Sequence, residues 1–140
     1  MLQSAGLKES ISADPNLQVI QLKALREEMK YDKQEFIVKA GQPVEIVFEN
    51  PDAMQHNIVI GKQKSLDVIG KAADVMITQR NAAEKHYVPE LPEVIASSPL
   101  VNPGETFRLR FTAPATPGDY PFICTFPGHW QIMHGVMQVR

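Results

Sequence analysis

The sequence predicts an all-β fold, a Greek-key β-sandwich with a helical insertion between strands. Seven or eight short segments alternate apolar and polar side chains, which is the period of half-buried strands. Turn-forming clusters separate these segments, and the 140 residues include 11 prolines and 8 glycines. One stretch changes to a helical period instead. This pattern is typical of a two-sheet sandwich, and a chain of this length can bury one sizeable core.

The predicted domain begins after a polar segment. Residues 1–16 lack clear periodicity, and we expect a flexible N-terminal arm or linker there. The folded domain is expected to cover residues 17–140. No internal repeat or second domain is apparent.

Four strands are predicted before the helical insertion. The clearest is VEIVFE at residues 44–49, which alternates apolar and polar side chains between two turns. The predicted strands of this half cover residues 17–25, 35–40, 44–49 and 56–60. His56 therefore lies where a turn enters a strand, which is a rigid place to hold a ligand.

The helical period follows the fourth strand. Apolar residues recur at helical spacing from Leu66 to Met76, and Ser65 is the expected N-cap. A second helical piece is expected over residues 79–85, ended by the prolines of YVPELP. The strands predicted after it cover residues 94–96, 105–112, 120–124 and 136–140.

The last two predicted strands flank a loop rich in metal-ligating side chains. The loop reads CTFPGHWQIM, with a thiol at Cys124, an imidazole at His129 and a thioether at Met133. These soft and borderline donors suit copper far better than magnesium or calcium. With His56 as a further nitrogen ligand, the sequence predicts a mononuclear type 1 copper site in a protein that carries electrons.

Some neighbouring residues compete for these roles. Met137 is an alternative to Met133 as the axial group, and His134 is adjacent to it. His134 is expected to point away from the metal, because neighbours in an extended segment face opposite sides. His86 lies in a loop without a partner pattern and is expected to be solvated.

The ligand motifs resemble those of a known family. Cys-Thr-Phe-Pro-Gly-His, followed four residues later by Met, is similar to the ligand loop of azurins, and Met-Gln-His-Asn at residues 54–57 resembles auracyanins. On this likeness, which covers roughly residues 17–140, the chain is identified as a member of the cupredoxin family of blue copper proteins. The ligands that the resemblance implies are His56, Cys124, His129 and, as the long axial group, Met133.

The resemblance also implies contacts around these ligands. The backbone carbonyl of Gln55 falls where azurins offer a weak axial oxygen, although azurins usually have glycine there. The backbone N–H groups of Asn57 and Phe126 would point at the Cys124 sulfur. The Asn57 side chain would tie the two ligand loops together. The disulfide of azurins has no counterpart, because this chain has a single cysteine.

An apolar patch around His129 is the expected docking site. The imidazole of His129 is expected to reach the surface there, and weak electron-transfer encounters use small interfaces. The expected partners are redox proteins, such as a cytochrome or a dehydrogenase. The candidates to surround the imidazole are Met54, Pro127, Trp130 and Ile132.

Composition argues against several other functions. The net charge of −2, with both signs interspersed, does not indicate binding to nucleic acid or to an anionic membrane. One cysteine excludes a binuclear copper centre that needs two, and the absence of His-x-His disfavours a multicopper oxidase or a copper nitrite reductase. We therefore expect no enzyme; a copper carrier and a purely structural sandwich are the remaining alternatives.

The expected location is periplasmic or otherwise exported. No apolar stretch reaches the length of a membrane span and no leader is visible, so the chain is either intracellular or a trimmed form of an exported protein. We favour the exported form, with its signal or tether outside this sequence, because cytosolic copper is tightly withheld.

Overall fold

A computed structural model describes residues 14–140, and within them eight strands form two sheets. The strands are β1 (Gln18–Lys23), β2 (Glu35–Val38), β3 (Pro43–Glu49), β4 (Val59–Gly61), β5 (Val94–Ser97), β6 (Thr106–Thr112), β7 (Gly118–Ile123) and β8 (His134–Val139). The helix α1 (Leu66–Met76) lies between β4 and β5. The predicted all-β sandwich with a helical insertion is confirmed. Of the predicted N-terminal arm, residues 1–13 lie outside the described residues, and Asp14 begins a turn closed by Leu17.

The two sheets divide the strands unequally. One sheet has the order β1-β3-β6 and the other has the order β2-β8-β7-β4-β5. The pairs β1–β3 and β2–β8 are parallel, whereas every other pair among the named strands is antiparallel. Strands β7 and β8, which flank the ligand loop, therefore lie side by side inside the larger sheet.

The alternation of β3 builds both sides of the smaller sheet. Val44, Ile46 and Phe48 are fully buried and face the core between the sheets, as their spacing predicts. On the opposite face the Glu45 carboxylate is also buried, under two arginines of β6. The guanidinium groups of Arg108 and Arg110 donate to it at 3.0 and 2.8 Å, so the buried charge is paired.

The helix α1 packs beside the larger sheet. Ile69 and Trp130 belong to a second apolar cluster there, and Gly70 gives the indole room to approach the helix backbone. Ser65 does precede the helix, but its hydroxyl donates to the Lys62 carbonyl and makes no capping bond, so the expected N-cap contact is absent. No helix within residues 14–140 is long and apolar enough to span a membrane.

Two local predictions were wrong. Residues 79–85 form a succession of turns and no second helix. The turns continue to His86 and Tyr87, whose φ angles are both +57°, a region that breaks a right-handed helix. The strand predicted at 56–60 is shorter, and His56 instead forms an isolated bridge with Val101.

Candidate metal centre

Three of the predicted ligands meet in the core. The Nδ1 atoms of His56 and His129 lie 3.9 and 3.7 Å from the Cys124 sulfur. The three donor atoms all lie within 4.8 Å of one another, and all three residues are buried. Neither His86 nor His134 belongs to this cluster.

His56 is held by backbone on one side and by a carboxylate on the other. Its N–H donates to the Val101 carbonyl at 3.3 Å, and its own carbonyl accepts from the Val101 N–H at 2.8 Å. The ring Nε2 lies 2.8 Å from Oδ2 of Asp52. The ring is therefore fixed with Nδ1 towards the cysteine.

The other ligands lie on a loop that is closed by its own hydrogen bonds. The Cys124 N–H donates to the Met133 carbonyl at 3.0 Å, and the Met133 N–H donates to the His129 carbonyl at 2.8 Å. Gly128 has a φ of +83°, which glycine adopts without steric cost, and the turn that it makes presents His129. The loop thereby brings the Cys124 sulfur and His129 Nδ1 to within 3.7 Å of each other, and its backbone bonds hold Met133 beside them in the chain.

Asn57 ties the two ligand segments together. Its side-chain oxygen accepts from the Thr125 N–H at 2.8 Å, and its amide group donates to the Thr125 hydroxyl at 2.9 Å. The same amide group donates to the His86 carbonyl at 3.0 Å. The tie that the resemblance implied is present, and it also reaches the turn at His86.

The environment of Cys124 keeps its thiol neutral until a metal replaces the proton. Burial raises the pKa of Cys124 to about 11, although hydrogen bonds from the backbone N–H groups of Asn57 and Phe126 oppose this effect. Those are the two N–H groups that the resemblance placed at the sulfur. They are ready to stabilise a thiolate that a bound metal creates.

The site combines a neutral imidazole with a charged carboxylate. Burial, together with repulsion from His56, lowers the pKa of His129 to about 4, although Asp52 opposes the shift. Burial alone would raise the pKa of Asp52, but hydrogen bonds from His56 and from the backbone N–H groups of Glu27 and Ala53 lower it to about 2. A neutral His129 and an ionised Asp52 therefore coexist at neutral pH.

The candidates for the axial position differ in their surroundings. Met133 and Met137 are both fully buried, but Met133 is bonded through its backbone to both Cys124 and His129. Met137 lies within β8, in register with Phe36 and Tyr120. The backbone contacts favour Met133. The expected contact of the Gln55 carbonyl stays a prediction.

The surface near His129 differs from expectation. His129 is only 2% exposed. The prediction that its imidazole reaches the surface was therefore wrong. Trp130 is 8% exposed and turns towards α1, where its indole N–H lies 3.1 Å from both carboxylate oxygens of Asp74. Met54 and Ile132 are 43% and 50% exposed, as expected for two of the four predicted patch residues.

The sequence did not predict the roles of two residues that contact the site. Asp52 reads as turn chemistry in Asn50-Pro51-Asp52, and only its spacing of four residues from His56 hints at a contact. Tyr31 lies far upstream, yet its buried hydroxyl donates to the Asn57 carbonyl at 2.7 Å. Burial raises the pKa of Tyr31, so this donor stays protonated.

The donor set fits a copper ion. Nitrogen and sulfur atoms bound to one ion at about 2.0–2.3 Å lie about 3.5–3.9 Å apart, close to the spacings around Cys124. Two imidazoles and one thiolate with a weak thioether are the donors that copper takes in electron-transfer sites. A magnesium or calcium ion would require oxygen ligands, which the cluster does not offer.

Comparison with known proteins supports the same chemistry. A family model described as copper binding proteins of the plastocyanin/azurin family matches residues 18–140. Auracyanin-A from Chloroflexus aurantiacus is 39% identical over 123 residues, which are 86% of this chain and 74% of that protein. The solved structure of auracyanin A, described as a "blue" copper protein from that bacterium, has a TM-score of 0.80 and 36% identity, covering 89% of this chain and 99% of its own.

A further relative is longer than this chain. Outer membrane protein H.8 from Neisseria gonorrhoeae is 38% identical over 85 residues, which are 59% of this chain. The match covers 43% of that protein, so this chain spans less than half of its length.

Proposed function

The chain belongs to the plastocyanin/azurin family of copper-binding proteins, and from this premise we propose which residues hold its copper. It is a mononuclear type 1 copper protein that carries one electron at a time by cycling between Cu(I) and Cu(II). We assign His56 Nδ1, His129 Nδ1 and the Cys124 sulfur as the three strong ligands and the Met133 sulfur as the weak axial one. The observation that carries this assignment is the buried cluster of three donor atoms within 4.8 Å.

The protein's own contribution is to hold the ligands still. The two backbone N–H donors at Cys124 and the Asn57 tie fix the thiolate, while the Val101 bridge fixes His56. A ligand set that moves little between the two oxidation states lowers the barrier to electron transfer. The closed loop and the buried surroundings also keep water away from the ion.

Copper loading and visible spectroscopy test the assignment. Cu(II) is added to the purified protein and to a Cys124→Ser variant, with His86→Gln as the matched control outside the cluster. We expect an intense band near ~600 nm that ascorbate bleaches and that only the Cys124→Ser variant loses. A colourless wild-type protein, or a band that survives in Cys124→Ser, would contradict the electron-carrier assignment and would bring copper carriage forward.

The axial ligand is tested with a matched pair of methionine variants. Met133→Leu and Met137→Leu both preserve volume in the core, so their effects on packing are comparable. We expect Met133→Leu to change the reduction potential and the ligand-field spectrum, because the axial group tunes such sites. Met137→Leu should leave both unchanged. The reverse result would move the axial role to Met137.

We also propose a docking surface for redox partners at Met54 and Ile132. Both side chains are exposed and apolar and lie in the ligand-bearing segments, next to Gln55 and Met133. A cytochrome or dehydrogenase that docks here comes close to the buried His129 without contacting it directly. Stopped-flow oxidation by a small cytochrome c measures this: Ile132→Lys should slow transfer about tenfold, while Val75→Lys on exposed α1 should not. Equal rates in the two variants would exclude this surface.

We propose that the protein is an electron carrier without catalytic activity of its own. The chain has four histidines, and two of them are assigned to the copper. The other two, His86 and His134, are too few to supply a second centre of the kind that copper oxidases use. Nitrite or oxygen turnover by the copper-loaded protein would contradict this proposal.

We propose an exported, periplasmic location. A relative that matches over 85 residues is described as an outer membrane protein, and the predicted site needs a compartment where copper is accessible. Fractionation of the native host, followed by immunoblotting, measures the location directly. Recovery of the protein with the cytosolic fraction would contradict the proposal.

A further inference from the structure

A buried carboxylate lies directly behind one ligand. Oδ2 of Asp52 is 2.8 Å from His56 Nε2, and both side chains are almost completely inaccessible to solvent. The opposite ring nitrogen, Nδ1, faces the Cys124 sulfur at 3.9 Å. An ionised carboxylate only accepts hydrogen bonds, so Nε2 must carry the proton. In the neutral ring this leaves the lone pair on Nδ1, the atom that faces the donor cluster.

Asp52 is itself held at two points, its carboxylate and its backbone N–H. Its other oxygen accepts from the Glu27 N–H at 3.0 Å, in the segment between β1 and β2. The Asp52 N–H donates to Oδ1 of Asn50 at 3.0 Å, and Asn50 is anchored in turn to the Val101 carbonyl at 2.8 Å. Glu27 has a φ of +63°, which is unfavourable for a residue other than glycine. A distant segment therefore adopts a strained conformation while donating to this one side chain.

The second imidazole has no such partner. His129 Nε2 is buried and makes no hydrogen bond within residues 14–140. Among these residues, the carboxylate that contacts a ligand imidazole lies on the His56 side of the cluster. This asymmetry gives Asp52 a role that the ligand set by itself does not explain.

We propose that Asp52 is a positioning residue that locks the tautomer and orientation of His56 and lowers the reduction potential of the copper. The proposal rests on the assignment of His56 as a copper ligand. A carboxylate on the far nitrogen makes an imidazole a more basic ligand, and its charge stabilises the more positive oxidation state. Both effects favour Cu(II) over Cu(I).

The test separates the charge of Asp52 from its hydrogen bond. Asp52→Asn keeps an acceptor of the same shape and removes the charge, whereas Asp52→Ala removes both. Glu49→Gln is the matched control, because it removes one exposed charge three residues away. The reduction potential of the copper-loaded protein should rise in Asp52→Asn and stay close to the wild-type value in Glu49→Gln. Equal potentials in these two variants would overturn the electrostatic part of the proposal.

A second readout needs no copper. Nitrogen-15 NMR of the metal-free protein reports which ring nitrogen of His56 carries the proton. We expect a single Nε2–H tautomer in the wild type and in Asp52→Asn, and a mixture in Asp52→Ala. The copper affinity of Asp52→Ala should be about 10–100-fold lower, the range found when such supporting partners are removed.

The two proposals fail in different ways. A wild-type protein that binds no copper contradicts the ligand assignment, while the tautomer of His56 still decides whether Asp52 orients the ring. A blue wild-type protein with the same mixture of tautomers in all variants overturns the role of Asp52 alone. If Asp52→Ala fails to fold, the reduction potential of copper-loaded Asp52→Asn still tests the proposal.

Discussion

The two histidines that face Cys124 are held by opposite means. His56 is fixed between Val101 and Asp52, so a backbone bridge and a buried carboxylate determine its position. His129 lies on a loop that is closed mainly on itself, and its Nε2 has no partner in the described part of the chain. The site is therefore held by fixed contacts on the His56 side and depends on loop packing on the His129 side. Variants that act on one side and not the other can test this contrast.

The largest loss of stability is expected from a substitution of Asn57, which joins the two ligand segments. Asn57→Ala removes two buried hydrogen bonds, to the Thr125 N–H and the Thr125 hydroxyl, and a partly buried one to the His86 carbonyl. The free energy of unfolding should fall by about 3–5 kcal/mol, because these partners stay buried without replacements. Urea denaturation measures this loss, and the exposed Asn81→Ala serves as control.

The same variant distinguishes the two sides by amide exchange. We expect faster exchange at Thr125 and along the His129 loop, while the His56 N–H keeps its bond to Val101. Equal loosening around His56 and His129 would contradict the contrast between them.

The free energy of unfolding of the metal-free protein should depend on pH through His129. The pKa of His129 is about 4 when folded and near 6.5 when unfolded, so between these values the unfolded chain binds the extra proton. The free energy of unfolding should therefore rise with pH through this window, by about 3 kcal/mol at most, and level off above it. Denaturation at several pH values measures this slope.

The matched variants for this slope are His129→Gln and the exposed His86→Gln. Only the first should flatten the rise. Asp52, with its pKa lowered to about 2 from 3.8, contributes stability that is lost only as the pH falls through that lower range. A slope that persists in His129→Gln would show that another group titrates.

A substitution in α1 can disturb the packing of the loop that carries His129. A Cβ atom at Gly70 would lie 2.1 Å from the Trp130 ring, beside His129. Gly70→Ala should therefore destabilise the protein by about 1–3 kcal/mol, although alanine is normally favoured in helices. Thermal and urea denaturation measure the change, with the exposed Lys71→Ala as control. A Gly70→Ala protein more stable than the wild type would show that the indole shifts without cost.

The smallest effect concerns the bond between Trp130 and Asp74. Trp130→Phe keeps most of the ring and removes the N–H donor at 3.1 Å, which should cost about 1 kcal/mol. A double-mutant cycle with Asp74→Ala, followed by circular dichroism, isolates this bond. Additive effects of the two substitutions would mean that the bond contributes nothing.

The loop ligands were predictable because they are local in sequence. Cys124, His129 and Met133 occur at spacings that a short loop between two strands brings together, and the structure places the Cys124 and His129 donor atoms side by side. His56 was harder, because its local signal is weak and it was selected by the need for another nitrogen ligand together with the resemblance of Met-Gln-His-Asn. The alternation of residues 44–49 likewise determined which side chains of β3 face the core.

What sequence reasoning missed depends on contacts between distant segments. Asp52 resembles an ordinary turn residue until the fold brings the Glu27 N–H to it. The expected exposure of His129 failed in a structure where its ring lies against those of His56 and Phe126, with centroids 5.1 and 5.0 Å away. The helical piece predicted at 79–85 failed because neighbouring residues adopt positive φ angles, which composition does not reveal.

The order of the strands in the larger sheet has a consequence for folding. Strand β2 pairs with β8, which lies far along the chain, and His56 is 68 residues away from Cys124. Such non-local pairing folds slowly. The three clustered donors come together only when β7 and β8, which flank the ligand loop, have joined the sheet that also contains β4. Copper can therefore be held by all three donors only in the folded protein, so copper binding and folding stabilise each other.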